Sequence, residues 1–405
     1  MNASYDALPM AVPHAEWIQH VVANQLWGDS DMCLVDVGAS GGIDKRWSVF
    51  GTRLTAVGFD PLVSEVNRLN ELETRPKVRY EAAHVGCLNY DELFPHAIRN
   101  DPIASRFNQP FVRSSAVAAH GLLRQDYVRD VFNAGSPVEY SSRRITLDTD
   151  LSSVLPVSPD FLKIDTDGND YAVLLGAGKT IDDGLLGISV ECQFHGAVHA
   201  FANSFSNIDR YLRERGFSIF DLTLYRYSRS ALPAPFLTRV PAQTLSGQLN
   251  WGKALYFRDL AEPSYERMFG VAPTRERLLK LCCLFALYEL DDCAAEVLVT
   301  SEALKALPER TWLLDALTPR VFGDETYDAY ISRFNANPSQ WLSGKRSERD
   351  RAPAVDTTAD ADAKIAKLKS RVIELKRQNI ELRQRLRKRN ERLASVLKQK
   401  TDSAS

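Results

Sequence analysis

The chain of 405 residues has no apolar run long enough to span a membrane. Residues 1–13 also lack the basic start and apolar core of a secretory leader, so a cytoplasmic location is expected. Neither sign of charge dominates: 50 Lys and Arg against 52 Asp and Glu leave a net charge of -2, and no global field recommends a specific nucleic acid partner. The six cysteines, at 33, 87, 192, 282, 283 and 293, have no metal-ligand spacing and are expected to be free, mostly buried thiols. Also missing is the G-x-G-x-x-G spacing of a nicotinamide-binding turn, which disfavours an NAD-dependent oxidoreductase. What remains is an ordinary hydrophobic content of 44% in a chain long enough for one large domain and something more.

The most informative stretch runs from Cys33 to Val37 and into Gly38-Ala39-Ser40-Gly41-Gly42, followed by Ala56-Val57-Gly58-Phe59-Asp60-Pro61. A buried strand entering a glycine-rich turn, then a second strand ending in a carboxylate, is how an open α/β sheet holds an adenosine-containing cofactor. Asp60 is placed to accept hydrogen bonds from two ribose hydroxyls. Asp36, inside the first strand, would repel a pyrophosphate. It is compatible with S-adenosylmethionine, whose sulfonium and ammonium groups are cationic.

Strands are expected near 33–37, 54–59, 78–83, 161–165, 186–192, 217–222 and 252–258, with a first helix over 14–28 and helix-like segments between most strands. This is the alternation of a doubly wound α/β sheet. The connection from about 86 to 158 is too long for a simple crossover and is expected to carry its own structure. Its cluster Phe111-Val112-Arg113-Ser114-Ser115 and a strand-like Arg144-Ile145-Thr146-Leu147-Asp148 fit a part of the substrate pocket. The divisions expected are a helical lead-in over 1–30, a catalytic domain over 31–260, a helical subdomain over 261–342, a flexible linker over 343–361 and a coiled coil over 362–400.

The chemistry is expected at the carboxyl ends of the central strands. Leu162-Lys163-Ile164-Asp165-Thr166-Asp167-Gly168 is a strand ending in carboxylates, and Val190-Glu191-Cys192-Gln193-Phe194-His195 delivers an acid and a histidine to the same rim. His195 is the favoured general base, since its ordinary pKa lies near neutrality, with Glu191 or Asp165 as orienting carboxylate. Alternatives stay open: His195 as an ordinary loop histidine, or Asp165, Asp167 and Glu191 around a divalent cation that lowers the pKa of an acceptor hydroxyl. No metal site is assigned. Asp167 or Asn169 suits a helix cap, and His199, Asn203, Asn207 and Asp209 suit either sugar contacts or loop backbone.

These motifs, together with Gly176-Ala177, Arg213-Glu214-Arg215-Gly216-Phe217 and Trp251-Gly252-Lys253-Ala254-Leu255, resemble the FkbM-type family of S-adenosylmethionine-dependent methyltransferases over roughly residues 31–260. The resemblance implies a class I methyltransferase (Rossmann-like) fold and O-methylation of a hydroxyl, most often on a sugar or polyketide. For this chain the expected acceptor is a saccharide or a saccharide-lipid intermediate. Carried onto this sequence, it implies that Asp36, Gly38, Ala39, Ser40, Gly41, Asp60 and Pro61 line the cofactor, with Ala83 and His84 near the adenine. The chain departs from the family in carrying GASGG where many members have an Asn and a single glycine. A scaffold that keeps the fold and works through its tail is the rival reading.

That tail is a heptad. Ile365, Leu368, Val372, Leu375, Asn379, Leu382, Leu386, Arg389, Leu393 and Val396 alternate steps of three and four, and Asn379 on the seam favours a two-stranded pair. Residues 365–396 are therefore expected to form a homodimer. Their flanks are rich in Lys and Arg, which fits an anionic membrane surface, a polyanion or an acidic protein as partner.

Overall fold

The structure, a computed structural model, describes residues 14–88, 113–115, 139–155, 157–196, 198–237, 242–323 and 325–341. Strands β1 (Met32–Val37), β2 (Leu54–Asp60), β3 (Val78–Ala82), β6 (Phe161–Ile164), β7 (Gly187–Gln193), β8 (Phe217–Tyr227) and β9 (Gln248–Arg258) form one sheet. A separate parallel pair is made by β4 (His84–Val85) and β5 (Arg144–Ile145). The main sheet runs β3-β2-β1-β6-β7-β9-β8, with only β9 antiparallel to its neighbours. This is the strand order of a class I methyltransferase. The order reverses between β1 and β6, so the ligand crevice lies at the carboxyl ends there.

Burial explains the sequence of these strands. β1 is buried along its whole length because a parallel sheet is covered on both faces. One face carries Met32, Leu34, Phe161, Leu255 and Phe257, and the other Val35, Val37, Leu162, Ile188 and Tyr256. Covering the second face are helices α3 (Leu147–Val154), α4 (Asp170–Leu175), α5 (Gly178–Asp182) and α6 (Phe205–Arg213). The first face is covered by α1 (Ala15–Ala23), α2 (Val63–Leu72), a 3-10 segment over Lys45–Arg53, and the later helices α8 (Arg275–Leu287), α9 (Asp291–Thr300) and α10 (Arg310–Leu317), with α7 (Tyr265–Phe269) beside them. The helices beyond Leu260 thus form a layer on the sheet, sharing its apolar cluster. In α8 every residue from Leu278 to Leu287 is buried, Lys280 included.

The remaining described residues form a second unit, holding most of α11 (Tyr327–Ala336) and a 3-10 turn over Pro338–Trp341. It holds an aromatic cluster in which half-buried Trp341 is ringed by Phe322, Tyr330 and the exposed Phe334, with the indole donating to the Tyr330 hydroxyl at 2.8 Å. The linker and heptad, residues 343–361 and 362–400, lie outside the described residues, as does most of the long connection.

Three local expectations are corrected. The first helix stops at Ala23, where Gln25 takes a left-handed backbone (φ 50°) and turns the chain. The segment 144–148 is a strand only at Arg144–Ile145: the Thr146 hydroxyl accepts from Thr149 N at 3.2 Å, and Asp148 and Asp150 fill the first turn of α3, so capping chemistry starts a helix. β8 and β9 extend beyond 217–222 and 252–258 because they pair as a long hairpin, with irregularities between Ile219 and Asp221 and between Tyr225 and Arg226.

Candidate active site

The glycine turn is fixed by its own backbone. Gly38 N and Ala39 N both donate to Phe59 O, at 2.9 and 3.0 Å, which docks the turn on the end of β2. Gly38 has φ 82°, and a Cβ there would lie 1.8 Å from Asp165 O, so only glycine lets the turn rest on the chain after β6. Gly41 has φ 83° with nothing within 4 Å of the place of a Cβ. Its N–H donates at 2.9 Å to Glu65 Oε1 on α2, a buried carboxylate that also takes two hydrogen bonds from Arg68. Ala39 is buried and Ser40 exposed.

Asp60 ends β2 beside this turn. Burial raises its pKa, against the Leu62 N–H, which donates to Oδ1 at 2.8 Å, and the Ser40 backbone. Ala83 N donates to Asp60 O at 3.1 Å, and Pro61 O accepts from Ser141 N at 2.8 Å. Ala83 is buried, Pro61 half-buried and His84 exposed on β4.

Sheet register builds a charged row on the face that bears Leu34 and Phe257. Asp36 pairs with Lys163, whose Nζ lies 2.9 Å from Asp36 Oδ1 and 2.9 Å from Gly38 O. Burial pushes Asp36 up to about 6, and the Lys163 ammonium opposes that rise. One layer nearer the rim, Lys253 Nζ donates to Asp165 Oδ2 at 2.9 Å, and Glu191 stands opposite Lys253 in register. Burial, then the Asp165 charge, pushes Glu191 up to about 9. The Asp165 charge thus favours the protonated form of the Glu191 carboxyl beside it. Burial would raise Asp165 too, but the ammonium groups of Lys253 and Lys163 and the hydrogen bond with Glu191 outweigh it and hold its carboxyl below the usual range.

His195 lies just past the end of β7, and burial lowers its pKa, leaving the imidazole neutral near pH 7. The expected helix caps are corrected: Asn169 makes no side-chain cap, and Asp167 has a left-handed backbone at φ 54°. The fully buried Asp170 does the tying instead, accepting from Thr166 N at 2.9 Å, Thr166 Oγ1 at 3.1 Å and Asn203 Nδ2 at 3.2 Å. Asn203 Oδ1 accepts from Tyr171 N, Asn207 donates to His199 O and Ala202 O, and Asp209 accepts from the Tyr256 hydroxyl. These three thus serve loop and helix structure rather than standing as ready sugar contacts. Among the described residues no group of three His, Cys, Asp or Glu is placed to hold a metal ion. From the long connection, Ser115 N donates to Ser228 O at 2.8 Å and Ser230 N to Arg113 O at 2.9 Å, which fastens residues 113–115 to the chain leaving β8 at the same rim.

Sequence reasoning gave no role to Lys163, Lys253 or Glu65. For the two lysines the available signal was a charged residue in an otherwise buried strand, which needs a partner across the sheet; Glu65, on α2, carried no such signal.

A protein-family model described as the methyltransferase FkbM domain matches residues 36–219. No curated protein matches the sequence. Among solved structures, an FkbM methyltransferase from Methylobacillus flagellatus KT aligns at 12% identity and a TM-score of 0.27, over 56% of this chain and 43% of that one. A TehB-like S-adenosylmethionine-dependent methyltransferase from Corynebacterium glutamicum aligns at 9% identity and 0.24, over 60% and 87%. A precorrin-6y C5,15-methyltransferase from Geobacter metallireducens GS-15 aligns at 9% and 0.25, over 59% and 87%. The fold is carried by its strand order and the family by the matched segment: residues 36–219 are a methyltransferase domain of the FkbM family.

Proposed function

We propose that this domain methylates a hydroxyl group of a saccharide or a saccharide-lipid intermediate, with S-adenosylmethionine as donor. The observation that carries this reading is the contact between Gly38 and the Asp165 backbone, which places the cofactor turn directly against the row Asp165, Glu191 and Lys253. The residues fit the cofactor: Gly41 leaves open space over the turn, and Asp60 offers a carboxylate at the end of the adjacent strand. Asp60 would hold the ribose hydroxyls, the 38–41 turn the amino-acid end, and Ala83 and His84 the adenine. When bound, S-adenosylmethionine supplies an electrophilic methyl group.

What the chain supplies is alignment and a proton acceptor. Neutral His195 takes the acceptor's hydroxyl proton at an imidazole nitrogen. Lys253 holds Asp165 by its hydrogen bond and favours the ionised carboxylate, so the negative charge of the row stays at one place on the rim. The test is His195→Ala assayed by product mass over candidate acceptors. Turnover falls by roughly 10²–10⁴-fold, the range for a lost general base, while calorimetric S-adenosylmethionine affinity is preserved. Full activity in the variant would transfer the proton to another group.

The reading extends to assembly: residues 365–396 pair two copies of the chain, and their basic flanks meet an anionic surface or acidic protein. Support comes from the heptad seam with Asn379 within it.

A further inference from the structure

The sheet register carries the rim one layer beyond the charged row. Gln193 on β7 pairs with Trp251 on β9, and Trp251 with Tyr225 on β8. Gln193 and Trp251 stand two residues past Glu191 and Lys253 toward the rim, on the same face of the sheet. The Trp251 and Tyr225 rings stack with centroids 3.7 Å apart and planes 3° from parallel. Trp251 Nε1 donates to the Tyr227 hydroxyl at 2.7 Å. The indole is thus held from behind and at its edge. The neighbouring strand on its other side is β7, where Gln193 reaches toward the loop after β6: a Cβ on Gly168 would lie 3.2 Å from Gln193 Nε2. Gln193, Trp251 and Tyr225 are all half-buried, so each keeps some surface.

A cross-strand aromatic pair stabilises many hairpins. The particular feature here is its address, one layer above Asp165, Glu191 and Lys253. A flat ring with a negative π face attracts the row of axial C–H bonds on one side of a pyranose. An amide beside it offers both a donor and an acceptor to hydroxyls that lie in the plane of the sugar.

We propose that the indole face of Trp251, backed by Tyr225 and flanked by the Gln193 amide, is the platform on which the sugar ring of the acceptor stacks. This deepens the hydroxyl-methylation reading and rests on it for the reaction. Saturation-transfer NMR on the full-length chain without cofactor tests it, with the methyl glycosides of glucose, mannose, galactose, rhamnose and N-acetylglucosamine as probes. At least one glycoside receives saturation on its ring C–H protons. Trp251→Ala weakens that binding about tenfold, the scale of a lost stacking contact, and Trp251→Phe by less. Trp312→Ala, whose ring stacks on His20, leaves it unchanged. Saturation of no glycoside, or wild-type affinity in both Trp251 variants, overturns the platform. Calorimetry with S-adenosylmethionine on the same samples keeps the two readings apart. Cofactor binding without glycoside contact overturns the platform alone, whereas glycoside contact that needs Trp251 in a protein that binds no cofactor upholds the platform and removes the methyl-transfer reading.

Discussion

Glu191 is where single-residue physics bears most directly on stability. Its pKa rises from the ordinary 4.5 to about 9 because burial and the Asp165 charge disfavour its ionised form. A raised folded-state pKa stabilises fully below pH 4.5, and that contribution is lost as pH climbs toward 9, since the unfolded chain ionises first. Glu191→Gln keeps a donor toward Asp165 and removes the titration. Its melting temperature relative to wild type is expected to climb between pH 5 and pH 8.5, and a gap that stays constant across this range would deny the buried proton. Arg258 shows the same economy of charge without a carboxylate. Fully buried, it donates to Leu185 O, Arg215 O and Ile181 O, and its guanidinium lies 4.3 Å from the Phe217 ring centroid.

Elements differ in how much of them the sequence reveals. The glycine turn and Asp60 were legible because a strand, a turn and a second strand are local in the chain and each position has a chemical reason. Lys163 and Lys253 were not, because their partners are set by register: Asp36 and Gly38 lie far from Lys163 in sequence, and Asp165 far from Lys253. The caps went the other way, since Asp170 takes the local hydrogen bonds from Thr166 and adds one from Asn203 on a distant loop, which the local sequence does not announce. The same non-local logic ties α8 to the sheet. Buried Lys280 lies 3.0 Å from Asp160 Oδ2, and that carboxylate also accepts from Cys33 N at 2.8 Å in β1. Lys280→Met leaves the half-buried Asp160 without its cation and is expected to cost about 1–3 kcal/mol of stability. Chemical denaturation measures this, and a loss below about 1 kcal/mol would show the pair to be solvated.

At the scale of the whole molecule, the chain joins a doubly covered sheet to a second unit and a basic heptad. No described helix is long and apolar enough to cross a membrane. Truncation after Gly344 is expected to leave the melting temperature of the catalytic domain unchanged while lowering the mass measured by light scattering, because the seam from Ile365 to Val396 is removed. Equal masses would assign assembly to another surface. In the full chain, Asn379→Leu is expected to keep association but admit higher orders, since no buried amide then penalises them.

The central claim, that the 38–41 turn and Asp60 form an S-adenosylmethionine site, meets its most direct test in isothermal titration calorimetry of the full-length chain. Wild-type protein is expected to bind S-adenosylmethionine at a single site per chain. Asp60→Ala, checked by circular dichroism to be folded, is expected to bind more weakly by about 2–4 kcal/mol, the scale of hydrogen bonds lost to a charged acceptor. Wild-type protein that takes up no S-adenosylmethionine, or a folded Asp60→Ala variant with unchanged affinity, would contradict it.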